Sequence, residues 1–95
     1  MARRRYLIAY DISEPRRLRR VIKVMEAYGE RLQYSVFLCD LSGRELVAWQ
    51  HDITKVIARD EDSVIRIDLG PLDASAAITV IGTPRTLPST GAIVT

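Results

Sequence analysis

A single cysteine, Cys39, excludes an internal disulfide and any structural zinc site built on several thiolates. The one histidine, His51, has no cysteine or aspartate in ligand spacing, so it reads as a surface residue. No apolar run approaches the length that spans a bilayer. The stretch after Arg3-Arg4-Arg5 is short and interrupted by Asp11, which does not fit a signal peptide; a cytoplasmic protein with no membrane partner is expected. Repeats and low-complexity tracts are missing too. With 95 residues there is room for one sheet and two helices and little for a deep pocket, so a substrate site is expected on a surface or between subunits.

The net charge is only +2, but it is unevenly spread. Residues 1–31 hold nine Arg or Lys against four acids, a net of +5, whereas residues 32–95 hold five against eight. Such a chain can present a basic face at a modest total charge.

Residues 5–12, Arg-Tyr-Leu-Ile-Ala-Tyr-Asp-Ile, form an almost continuous apolar run that predicts a central strand with Asp11 at its C-terminal end. Ser13 as N-cap, Pro15 in the first turn and Leu18, Val21, Ile22, Met25 and Tyr28 at helical spacing predict a first helix that stops at Gly29. Residues 31–40 alternate, with Leu32, Tyr34, Val36 and Leu38 on one side and Arg31, Gln33, Ser35, Phe37 and Cys39 on the other, which predicts strand with a kink near Ser35. Ser42-Gly43-Arg44-Glu45 is a capping box, and Leu46, Trp49, Ile53, Val56 and Ile57 continue it as a second helix over about 43–58. An acidic turn at 60–62 leads to a strand over 64–69, closed by Gly70-Pro71, and a last strand over about 77–81. The expected organisation is a domain over 1–82 and a C-terminal extension over 83–95 that pairs with a partner's sheet edge.

This order predicts an α+β sandwich with both helices on one face of an antiparallel sheet. A ferredoxin-like fold needs two strands between the helices, where only residues 31–40 are available. The uncovered sheet face makes a homodimer the economical arrangement.

Two features could carry chemistry. Asp11 follows five apolar or small residues, so its carboxylate must stay wet, bind a metal or accept hydrogen bonds; one reading makes it a cap for the first helix, the other a metal ligand. One carboxylate is too few for Mg²⁺, and a two-fold axis near Asp11 would supply a second. The second feature is the cluster Arg16, Arg17, Arg19, Arg20 and Lys23. Its charges exceed what Glu14 and Glu26 can pair, and helical spacing arranges most of them as a ladder for nucleic-acid phosphates. No aromatics interleave it, so backbone and shape would be read rather than bases. Arg31, Gln33, Ser35 and Phe37 read either as a polar face beside a substrate or as a wet face with Phe37 in the core. Cys39 reads as a packing thiol.

The run Tyr-Leu-Ile-Ala-Tyr-Asp-Ile at 6–12, the pair Arg16-Arg17, Tyr28-Gly29, and Arg31-Leu-Gln-Tyr-Ser-Val-Phe37 together resemble the small CRISPR-associated adaptation protein family, in order and spacing over roughly residues 5–70. The resemblance implies a ferredoxin-like homodimer whose C-terminal strand augments the partner's sheet. It implies that Asp11 is the family's metal-associated, catalytic aspartate, and that Tyr10, Arg17, Arg19 or Arg20, Arg31, Ser35 and Phe37 fall near the cleft. It further implies Mg²⁺-dependent endonuclease activity on single-stranded RNA or double-stranded DNA, and a role with the CRISPR integrase subunit in spacer acquisition. A non-catalytic double-stranded DNA scaffold and a toxin-like ribonuclease of the same fold are the alternatives.

Overall fold

The computed structural model describes residues 2–83 and 92–94. The elements run β1 (Arg3–Asp11), α1 (Pro15–Tyr28), β2 (Glu30–Gln33), β3 (Val36–Ser42), α2 (Gly43–Val56), β4 (Ser63–Pro71), a short 3₁₀ turn (Leu72–Ala74), β5 (Ile78–Val80) and β6 (Ala92–Val94). β2, β3, β1 and β4 form one antiparallel sheet in that order, the ferredoxin-like arrangement, with the apolar β1 at its centre.

Residues 31–40 correct the expectation of one kinked strand. They fold as a hairpin, β2–β3, turned over Tyr34-Ser35, and this supplies the two strands the fold needs. Arg31 and Phe37 are therefore cross-strand partners directly opposite one another. Gly29 permits the tight entry into β2: a Cβ there would collide with Cys39 Sγ and the Leu38 carbonyl.

Alternation along the strands separates two faces. Tyr6, Ile8 and Tyr10 of β1 and Phe37, Cys39 and Leu41 of β3 form the core with Val21 and Met25 of α1 and Trp49 and Ile53 of α2. The helices are joined by Trp49 Nε1 donating to Met25 Sδ at 3.3 Å and by the Tyr28 hydroxyl donating to Asp52 Oδ2 at 2.6 Å. The capping box opens α2 as expected: Glu45 N donates to Ser42 Oγ, and Ser42 N to Glu45 Oε1.

The other face presents two cross-sheet rows, Leu38–Leu7–Ile67 and Val36–Ala9–Ile65, and then Asp11 beside Ser63. Ile65 and Ile67 are 58% and 46% exposed, a costly arrangement for a sheet that stays uncovered. The expected extension over 83–95 lies mostly outside the described residues; its segment Ala92–Val94 runs parallel to β5.

Candidate nucleic-acid and metal site

Asp11 ends β1, is exposed, and faces away from the helices. The helix-capping reading of Asp11 is corrected by the structure, and so is Ser13 as N-cap. Glu14 caps α1 by accepting from Arg17 N at 2.7 Å, a bond that holds its carboxyl below the usual carboxylate range. Ser13 is used otherwise. Its amide and hydroxyl donate to Asp62 Oδ1 at 3.0 and 3.1 Å, and the hydroxyl also reaches the Glu61 carbonyl. The Asp11 side chain has no hydrogen-bond or ion-pair partner among the described residues, which leaves a wet carboxylate at a strand end.

The basic residues divide into two groups. Arg3 pairs with Glu45, Arg4 with Asp68, Arg5 with Asp40, and Arg17 with Glu61 and Asp62. Among the described residues, Arg16, Arg19, Arg20, Lys23 and Arg31 form no ion pair, although the Arg16 charge is near enough to Glu14 to help lower its pKa. Arg16, Arg19, Arg20 and Lys23 are exposed and together line one shallow concavity on the outer side of α1. Four cations without an ion pair, set within eight residues of one helix, form a comb of positive charge. Arg17, expected among the nucleic-acid-binding residues of this cluster, turns toward Glu61 and Asp62 in the loop before β4.

Tyr10, Arg31, Ser35 and Phe37, which the resemblance puts near a cleft, lie at the same strand end, with Tyr10 and Phe37 on the helix side. Tyr10 and Phe37 are buried with ring centroids 6.2 Å apart, and the Arg31 guanidinium lies 5.5 Å from the Phe37 ring and 5.6 Å from the Tyr34 ring. Burial raises the Tyr10 hydroxyl's pKa, partly offset by the Arg31 charge. Ser35 contributes its backbone: its carbonyl accepts from Tyr10 N at 3.1 Å. The structure thus brings Tyr10, Arg31, Ser35 and Phe37 together, with Asp11 one residue on and directed to the opposite face. His51 is exposed on α2, away from this strand end, and Cys39 is a buried core thiol pushed up to about 12 by desolvation.

No group of three or more His, Cys, Asp or Glu residues able to hold a metal exists among the described residues. Asp11 is a hard oxygen donor open to solvent, which suits Mg²⁺ as one ligand of a set completed from elsewhere. No helix of the described residues is long and apolar enough to cross a membrane.

The family model described as CRISPR associated protein Cas2 matches residues 4–74, which span Asp11, α1, the hairpin and β4. The chain belongs to the Cas2 family. Among Cas2 relatives, the Rhodospirillum rubrum protein named CRISPR-associated endoribonuclease Cas2 1 is 41% identical over 78 residues, covering 81% of this chain and 76% of the relative. The Halalkalibacterium halodurans protein named CRISPR-associated endonuclease Cas2 is 35% identical, covering 67% and 72%. The solved Streptococcus pyogenes Cas2 matches with a TM-score of 0.63 at 34% identity, over 66% of this chain and 82% of that one. A Thermus thermophilus protein, TT1823, gives 0.79 at 28% identity, over 92% and 99%. All the candidate residues lie within the Cas2 match, and β5 and β6 lie beyond it.

Tyr34 and Asp62 were not singled out by sequence reasoning. Asp62 lies inside an acidic turn, and Tyr34 fits the alternation of a single strand; an aromatic at a hairpin turn is the signal available for it.

Proposed function

We propose that this chain acts as a homodimer in CRISPR spacer acquisition, together with the integrase subunit, gripping nucleic-acid backbone with α1 and hydrolysing phosphodiester bonds at a site built on Asp11. The observation that carries the reading is the unpartnered Asp11 carboxylate on the uncovered sheet face. A second copy packed over Leu7, Ala9, Ile65 and Ile67 would bury the apolar rows and bring two Asp11 side chains toward the same axis. Among the described residues β4 is an edge strand of the sheet, and the part of that edge before Leu69, whose carbonyl is taken by Ala76 N, offers a place for a partner's C-terminal strand.

Each residue then has a role. The two Asp11 carboxylates would hold the metal; Arg16, Arg19, Arg20 and Lys23 would bind phosphates along the strand; Arg31 would meet charge near the cleft, with Phe37 and Tyr10 supporting it. When bound, Mg²⁺ supplies charge neutralisation at the scissile phosphate. No His, Lys or Glu is described in contact with Asp11, so proton abstraction falls to solvent and turnover is slow. Single-stranded RNA and double-stranded DNA are the candidate substrates.

The same comb of unpaired cations favours a second reading, a scaffold that holds double-stranded DNA without cutting it. A crystal structure of the dimer grown with Mg²⁺ tests the metal site. Mg²⁺–oxygen bonds are about 2.1 Å, so direct sharing of one ion requires Asp11 oxygens within about 4.2 Å of each other. A wide, rigid gap between them would leave only the scaffold reading.

A further inference from the structure

Tyr34 stands at the tip of the β2–β3 hairpin, 62% exposed, although it is a large aromatic. Its backbone is doubly held. The Tyr10 hydroxyl donates to the Tyr34 carbonyl at 3.2 Å, and the next carbonyl, Ser35 O, accepts from Tyr10 N at 3.1 Å. The β1–β3 register pairs Ala9 with Val36, and Tyr10 is bonded to Ser35 one step on. Tyr34 is thereby held at the end of the sheet where β1 closes with Asp11, on the side of Tyr10 and Phe37, while the Asp11 side chain leaves from the other face. One side of the Tyr34 ring has the Arg31 guanidinium 5.6 Å from its centroid; the same guanidinium lies 5.5 Å from Phe37, so a buried ring anchors the cation that braces the exposed one.

We infer that Tyr34, braced by Arg31, is a stacking shelf for the base of an unpaired nucleotide at the Asp11 end of the sheet, and that it selects single-stranded nucleic acid or a frayed end over continuous duplex. The inference rests on the nucleic-acid reading proposed above and adds what that reading lacks, a contact to a base. An exposed aromatic and, beside it, an arginine bonded to the Tyr10 hydroxyl but to no carboxylate among the described residues are the two parts that single-strand recognition uses, stacking for the base and charge for its phosphate. Arg31 forms no ion pair among the described residues, so its charge is available. Bases inside a duplex are already stacked on one another and present no face to such a shelf. The α1 comb, which lacks aromatics, grips either form.

The test uses the full-length protein with oligonucleotides carrying 2-aminopurine, as single-stranded RNA, single-stranded DNA and blunt duplex, following base fluorescence and anisotropy together. Wild type is expected to quench the probe in single strands and not in duplex. Tyr34→Ala should lose the quenching and weaken single-strand binding by about tenfold, leaving duplex affinity unchanged. Tyr34→Phe and Tyr34→Trp should retain both, because stacking needs the ring and not the hydroxyl. Comparing the RNA and DNA probes identifies which strand the shelf prefers. Quenching by a protein that cleaves nothing would sustain the shelf while removing the hydrolytic part of the reading on which it rests. Binding by wild type without quenching, or equal losses on single strands and duplex in Tyr34→Ala, would overturn the inference alone. So would a Tyr34→Ala protein that sediments as a monomer where wild type is a dimer, since the ring would then be a protomer contact. Failure of wild type to bind any of the three probes would overturn both.

Discussion

Arg17 Nε lies 2.8 Å from Asp62 Oδ2, and the Asp62 side chain is fully buried. Arg17 Nη2 reaches the second oxygen at 3.2 Å, and the amides of Ser13 and Ala58 complete the set at 3.0 and 2.8 Å. One carboxylate thus ties the β1–α1 loop, α1 and the segment after α2 together, immediately behind Asp11. A buried carboxylate with all its hydrogen bonds made is destructive to remove, because its donors are left unpaired.

Asp62→Asn should lower the thermal midpoint by about 5 °C or more, measured by calorimetry at neutral pH. The Arg17 guanidinium, followed by the Ala58 and Ser13 donors, holds the Asp62 carboxyl far below the usual carboxylate range. A folded pKa below the unfolded one stabilises the fold fully above the unfolded value, about 3.9, and this contribution declines as pH falls below it. Wild type should therefore lose stability progressively below about pH 4, and Asp62→Asn should show a shallower acid slope.

Gly29→Ala places a methyl against Cys39 Sγ and the Leu38 carbonyl. Urea unfolding should show a loss of about 1–3 kcal/mol, the usual cost of overpacking. Combining it with Cys39→Ala should recover only part of the loss, because the carbonyl contact stays.

The Cys39 thiol, pushed up to about 12 by burial and secondarily by the Asp40 charge, should be inert in the folded protein. At pH 8, a thiol reagent should label it only at the rate of unfolding, and rapidly in denaturant. Fast labelling of the native protein would show that the β3 core opens locally.

Arg16→Ala with Arg20→Ala should weaken duplex binding and reduce the slope of log affinity against log salt by about one per residue removed. Arg17→Ala should chiefly lower stability, leaving the slope near that of wild type. This contrast follows from the ion pairs: Arg17 is committed to Asp62, and the other two have no carboxylate partner among the described residues.

Both helices were legible because their signals are local. The Ser42 capping box and the apolar spacing of Leu18, Val21 and Met25 need no tertiary context, although α2 stops at Val56, short of the predicted end. The β2–β3 hairpin was not legible, because its turn is made by Tyr34-Ser35, with no glycine or asparagine, and the alternation runs through it unbroken. Missing that turn put Arg31 and Phe37 on one strand, where in fact they oppose each other across two. Ser13 illustrates the other kind of miss: its side chain is a competent cap, but a distant carboxylate, Asp62, takes it and Glu14 caps instead. Asp11 at the end of a buried strand was readable, since an apolar run closed by a carboxylate is a one-dimensional pattern. Its neighbours in space were not, because they depend on the register of three strands.

Cleavage of single-stranded RNA and double-stranded DNA by the purified protein with Mg²⁺, comparing wild type with Asp11→Ala and measuring binding in parallel, tests the proposed role of Asp11 most directly. That role predicts that Asp11→Ala abolishes cleavage of whichever substrate wild type cuts, regains none when Mg²⁺ is raised, and binds nucleic acid as wild type does. Cleavage by Asp11→Ala at the wild-type rate would contradict it.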